Sequence, residues 1–175
     1  MLDACAIKHN FSDLLAMTIQ TLIPSALIGA VASARSMTPM AALSLARLLR
    51  RRTPGPVALL DRPLFRMGAL AMGAGELYGD KMKTAPDRTV FLGLLARVLS
   101  AAIAGAALAP RGRAPAGAVV AVATAVPLAY ATLKVRKKAI SHIGQTPSGL
   151  VEDALVVAAG LAIVALVTRA EDRNG

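Results

Sequence analysis

Tryptophan is missing from this chain, cysteine occurs once, and aromatic residues make up only 3%. The lone Cys5 excludes an intramolecular disulfide and any cysteine-based metal cluster. His9 and His142 stand far apart, so no H-x3-H or H-E-x2-H pair is available to hold zinc. The phosphate-binding G-x4-G-K-[ST] pattern, the dinucleotide G-x-G-x-x-G and the nucleophile elbow G-x-S-x-G are absent as well. With no nucleophile–base set visible, neither an enzyme nor a cofactor is expected. Acids are scarce, 10 against 20 bases, which leaves a net charge of +10. The shortage of aromatics bears on that surplus, because a nucleic-acid surface interleaves bases with stacking rings and none interleave with the basic clusters here.

Charge itself is missing from long stretches. Residues 14–34 and 114–133 contain no charged side chain. The chain is 55% apolar, above the roughly 45–50% of a soluble domain, and its mean hydropathy is +0.58. An uncharged run of about 18 residues or more is a candidate membrane helix. A soluble Ala-rich bundle would need polar residues every three to four positions, and these runs lack them. A signal peptide is not expected, since Asp3, Lys8, His9 and Asp13 replace a basic leader and no cleavage pattern follows. The bases gather between the apolar runs, at Arg47 to Arg52 and Lys134 to Lys138, where they meet lipid headgroups and fix orientation.

In chain order, the pattern predicts an all-α polytopic membrane protein with about six transmembrane helices, forming one membrane domain over residues 1–175. A polar lead, 1–13, precedes spans at about 14–34, 39–49, 64–78, 89–109, 114–133 and 148–167. Thr38-Pro39 reads as a cap followed by the first helical position, and Gly144-Gln-Thr-Pro147 as another helix start. A loop is expected at 134–138.

Shifting the chain by 76 residues lays Gly29, Arg35 and Pro39 over Gly105, Arg111 and Pro115, and Gly73 and Glu76 over Gly149 and Glu152. Two three-helix repeats, about 14–88 and 89–168, follow from that register. Three spans per repeat is an odd number, so the second half enters from the opposite face: an inverted repeat, the plan of many transporters. The arginine cluster beside the second span places both termini in the cytoplasm.

The G-x5-R-x3-P-x-A-A-L motif (Gly29, Arg35, Pro39, Ala41 to Leu43), the E-x3-D-K segment with its following Asp-Arg (Glu76, Asp80, Lys81, Asp87, Arg88) and Arg97 resemble a bacterial family. It is a family of small integral membrane proteins classed only as a domain of unknown function, of the four-thousand series, and the similarity covers about 14–168. The resemblance implies an inner-membrane location and carries no activity.

The residues expected to carry function are Glu76 and Glu152, with Asp80 on the Glu76 helix face and Arg35, Arg97 and Arg111 as nearby cations. One reading makes the two glutamates a proton or cation site across the repeat axis. The other pairs each with a buried arginine that holds the halves together. Asp153 is expected to stay in the wetter first turn of the last span or to cap it. The two functional expectations are a small transporter or channel for an ion or small solute, and a non-transporting scaffold or lipid-interacting protein. Expected partners are the bilayer, an ion or solute, and a second copy as a homodimer.

Overall fold

The computed structural model describes residues 20–56, 58–79, 91–143 and 145–174, and every regular element among them is helical. Seven helices are seen: α1 over Gln20–Ala34, then α2 Thr38–Leu48, α3 Ala58–Asp61, α4 Pro63–Gly79, α5 Phe91–Leu108, α6 Ala114–Ile143 and α7 Gln145–Asn174. Three of them contain stretches long and apolar enough to cross a membrane: Phe91–Leu108, Ala114–Val135 and Gly149–Arg173. Large apolar side chains such as Phe91, Val119 and Leu166 point outward from these helices, as a lipid-facing surface allows. The chain is a multi-pass membrane protein. The polar lead 1–13 and the acid–base segment at 80–88 lie outside the described residues.

The remaining helices are shorter. α2 has 11 residues, a length of about 16 Å against a hydrocarbon core of about 30 Å. It ends in a Schellman turn. Arg50 N–H donates to Arg47 O at 3.1 Å and Arg51 N–H to Ala46 O at 2.9 Å, with Arg50 in the left-handed region at φ 56°. Two expectations need correction here. The basic stretch 134–138 is not a loop, because Lys and Arg are good helix formers and no breaker intervenes before Gly144, so α6 runs on to Ile143. Likewise α7 continues past Val167 to Asn174.

Contacts between helices fix their directions. Ser25 Oγ donates to Gly105 O at 2.8 Å and Arg97 Nε to Ser33 O at 3.1 Å, so α1 and α5 are antiparallel. Glu76 meets Ser36, just before α2, while Gly73 lies against Ala41 further along it, so α2 and α4 are antiparallel. Arg35 pairs with Asp153 and Arg51 with Asp172, so α2 and α7 run parallel. Gly55 N–H donates to Ala107 O at 3.0 Å, which sets the end of α2 beside the end of α5. Gly117, near the start of α6, lies against Gly105 and Ala109 at the same end, so α1, α2, α4, α5, α6 and α7 alternate in direction. One end of the bundle gathers Arg50, Arg51, Arg52, Arg111, Arg113, Arg169 and Arg173, joined by Arg51–Asp172 at 2.9 Å and Arg111–Glu171 at 2.6 Å.

The core has two parts. Ala32, Ala101, Ala121 and Ala125 form a small-residue seam between α1, α5 and α6. A Cβ on Gly29 or Gly105 would run into Ala121, so these glycines set how closely the three helices approach. Ile28, Leu43, Leu60, Leu108 and Val164 fill the larger cluster around α2.

Candidate functional site at the break between α1 and α2

Helix α1 stops at Ala34 and α2 starts at Thr38, leaving Arg35, Ser36 and Met37 between them. The break lies alongside the apolar stretches of α5 and α7. Arg97, which bonds the end of α1, sits six residues inside α5, and Asp153, which pairs with Arg35, sits four residues inside the apolar stretch of α7. Those offsets are about 9 and 6 Å along the helices. Non-helical backbone is tolerated in a bilayer only where protein covers it or a water-filled cavity meets it, because lipid offers no hydrogen bonds. Here protein covers it: Arg35 is fully buried and Ser33, Ser36 and Thr38 are buried around it.

Helix α2 opens with Pro39 in its first turn, but its cap is not Thr38. The cap position falls on Met37, whose side chain makes no capping bond, and Thr38 is already helical. The cap comes from α4 instead. Glu76 Oε1 accepts bonds from the Ser36 N–H and the Ser36 hydroxyl, both at 2.7 Å, and Oε2 accepts from the Met37 N–H at 2.8 Å. A carboxylate thereby occupies the positive end of the α2 dipole and satisfies N–H groups that the helix itself leaves open.

Two arginines complete the corner. Arg35 donates through Nη2 to Asp153 Oδ1 of α7, an ion pair in which both partners are buried, and through Nη1 to the Glu76 carbonyl at 3.3 Å. Arg97, 5% exposed, donates through Nε to Ser33 O and through Nη1 to Gly93 O of its own helix at 2.8 Å. Two cations, Arg35 and Arg97, thus stand with two anions, Glu76 and Asp153. Such a set is tolerable in a low-dielectric interior because each charge has hydrogen-bonding partners. The arrangement ties α1, α2, α4, α5 and α7 together at one level. Among the described residues no group of three or more His, Cys, Asp or Glu converges to hold a metal ion.

Of the residues expected from the sequence, the structure brings Glu76, Arg35 and Arg97 to this corner. Arg111 lies at the opposite, basic end, where its exposed side chain bonds Glu171 Oε1. Glu152 is partly buried beside Asp153, and Asp80 falls outside the described residues. The acid on Arg35 is Asp153, which is buried in this pair and neither stays in a wet first turn nor caps α7. Ser33 and Ser36 join the corner without a signal of their own in the sequence. A signal for Asp153 exists in the chain. Gly149, Asp153, Gly160, Val164 and Thr168 recur at spacings of four, seven, four and four, and all are buried. Glu152 is off that face.

Comparison with protein-family models, curated proteins and solved structures finds no match to this chain.

Proposed function

We propose that this protein is a small inner-membrane transporter or channel for an ion or small solute, not an enzyme, with its polar site at the break between α1 and α2. The observation that carries the reading is a Glu carboxylate seated on the N–H groups at the start of an interrupted helix, on the residue whose backbone carbonyl accepts from the buried Arg35. Intramembrane ionisable groups are functional by default, and transporters build their sites from half-helices whose ends face a charged group. In the conformation described, Glu76 fills the place an anionic group would take. Neutralising it by protonation or by a cation weakens its hold on Ser36 and Met37 and opens the corner.

The six-pass inverted repeat belongs to the same proposal. It is supported by the alternating helix directions and by helix starts at Thr38 and Ala114, which differ by the same 76 residues as the Arg and Pro motifs. The bases at the end where α1 begins and α7 finishes favour a cytoplasmic location for that end.

One observation favours the scaffold reading. Glu76 and Asp153 both have protein partners already, so neither needs a ligand. Purified protein in liposomes separates the two. Proton and potassium fluxes and thermal unfolding are to be recorded on the same samples of wild type, Glu76→Gln and Asp153→Asn. The transporter reading expects wild-type flux that is lost in a folded Glu76→Gln variant. Absence of flux under either gradient, with a large stability loss in both variants, assigns the corner a structural role and overturns it.

A further inference from the structure

The short α2 leaves a second feature that the polar corner does not use. Helices α4 and α7 are both longer than α2 and stand on either side of it, and α2 forms the floor of a groove between them. Towards the corner, a space of about 220 Å3 is walled by Leu70, Leu77, Val157 and Leu161 above Ala41 and Leu45. It continues, through the shared Ala42, Leu45 and Leu161, into a space of about 270 Å3 between α2 and α7. That space in turn shares Arg51 and Arg169 with a third, of about 400 Å3, lined also by Leu166, Asp172 and Arg173. The groove is therefore apolar along its length and basic at its mouth. The mouth lies at the end of the bundle where the arginines collect, which is where a headgroup layer would meet it.

We propose that this groove binds one anionic phospholipid, with an acyl chain along α2 and the headgroup phosphate at Arg51, Arg169 and Arg173. The charge at the mouth selects the occupant. Three guanidinium groups face a single carboxylate, Asp172, and that carboxylate is already engaged by Arg51 at 2.9 Å and by the Arg52 N–H at 3.4 Å. Arg169 and Arg173 stand on α7 one turn apart, spaced so that both reach one phosphate. A neutral apolar segment would leave those cations uncompensated at the membrane surface, and a free phosphate would leave the exposed apolar lining at Leu45 and Leu161 uncovered. A lipid with an anionic head satisfies both parts. The inference is independent of whether the α1–α2 corner conducts.

The test is lipid retention. The protein, stripped in detergent, is to be incubated with phosphatidylglycerol, phosphatidylcholine or glycerol phosphate, and then examined by native mass spectrometry and thermal unfolding. Retention of one phosphatidylglycerol with a raised Tm is expected, with no shift from phosphatidylcholine or glycerol phosphate alone. Arg169→Gln and Arg173→Gln should each weaken retention about fivefold, with the Tm of the lipid-free protein unchanged. Ala42→Phe, which fills the floor, should abolish retention even of the anionic lipid. Should that variant unfold, the two arginine variants decide the matter alone. Equal retention of charged and neutral lipid overturns the proposal, as does indifference to both arginine changes. A lipid-free dimer that the Ala42→Phe change dissociates would assign the groove to a second copy instead.

Discussion

Replacing Asp153 by Asn removes the charge that compensates Arg35 while leaving the shape of the side chain almost unaltered. Arg35 is 0% exposed and cannot reach water without α1, α2 and α7 parting. Breaking a buried pair from one side costs about 3–5 kcal/mol, because the remaining charge stays uncompensated. The Asn oxygen can still accept a bond from Nη2, which places this variant towards the lower end of that range. For a chain of this size each kcal/mol moves Tm by about 2–4 °C, so a fall of roughly 6–12 °C is expected. Arg35→Met should cost a similar amount, since it strands Asp153 and also releases the Glu76 carbonyl. The double variant Arg35→Met/Asp153→Leu removes both charges at once and should unfold above either single variant, which requires a coupling above about 3 kcal/mol. Far-UV circular dichroism in mild detergent is the suitable probe, because the chain has no tryptophan to report by fluorescence. A Tm for Asp153→Asn within about 2 °C of wild type, or a double variant no better than the sum of the singles, would refute the reasoning.

Three further outcomes follow from the same contacts. Gly105→Leu drives a side chain into Ala121 and the Gly117 carbonyl and should cost about 1–3 kcal/mol or more, whereas Gly68→Ala, with nothing within 4 Å, should gain about 0.5–1 kcal/mol; paired thermal melts would show any reversal. Arg50→Gly relieves a left-handed backbone position at the end of α2 and should stabilise by about 1 kcal/mol; a loss of stability would mean that the side chain outweighs the strain. In a Cys5→Ser background, Arg52→Cys, Arg111→Cys and Arg173→Cys should all react with an impermeant maleimide from one face of the membrane, because all three lie at the basic end. Labelling of any two from opposite faces contradicts the alternating helix directions.

The helical class and the apolar stretches of α4 and α5 were legible because uncharged runs and breaker residues determine them locally. The expected 64–78 and 89–109 lie within two residues of the observed ends. The end of α6 was not legible from charge alone. Lys134 to Lys138 reads as a headgroup-level loop, yet a helix emerging from a membrane carries the same residues without any break. The site was half legible. A lone Glu behind an Ala- and Gly-rich run announces itself, but its partner turned out to be backbone, Ser36 and Met37, and backbone N–H groups leave no trace in residue identity. Asp153 was masked by Glu152 beside it. The choice between adjacent acids on a helix depends on which face is buried, and on α7 only the recurrence of Gly149, Gly160 and Thr168 marks that face.

The 76-residue register shows how one backbone motif can take two roles. Thr38 and Ala114 both open helices, and each motif arginine stands three residues before its helix start. The arginine side chains nevertheless meet opposite surroundings: 1% exposure at Arg35, 78% at Arg111. Helix length separates them. α2 is stopped after 11 residues by the Arg50 turn and the prolines beyond it, whereas α6 passes the corresponding position, Thr124, and continues for 19 more residues to Ile143. A short α2 leaves its N-terminal break inside the bundle, within reach of α4, α5 and α7, and a long α6 leaves its own at the surface. Glu76 therefore finds a helix terminus to cap, and Asp153, one residue beyond the register, takes the buried arginine. The two matching helix starts thus come with only one buried corner. Any transport site in this protein would then be built from Arg35, Glu76, Arg97 and Asp153, rather than from two glutamates facing each other across a symmetry axis.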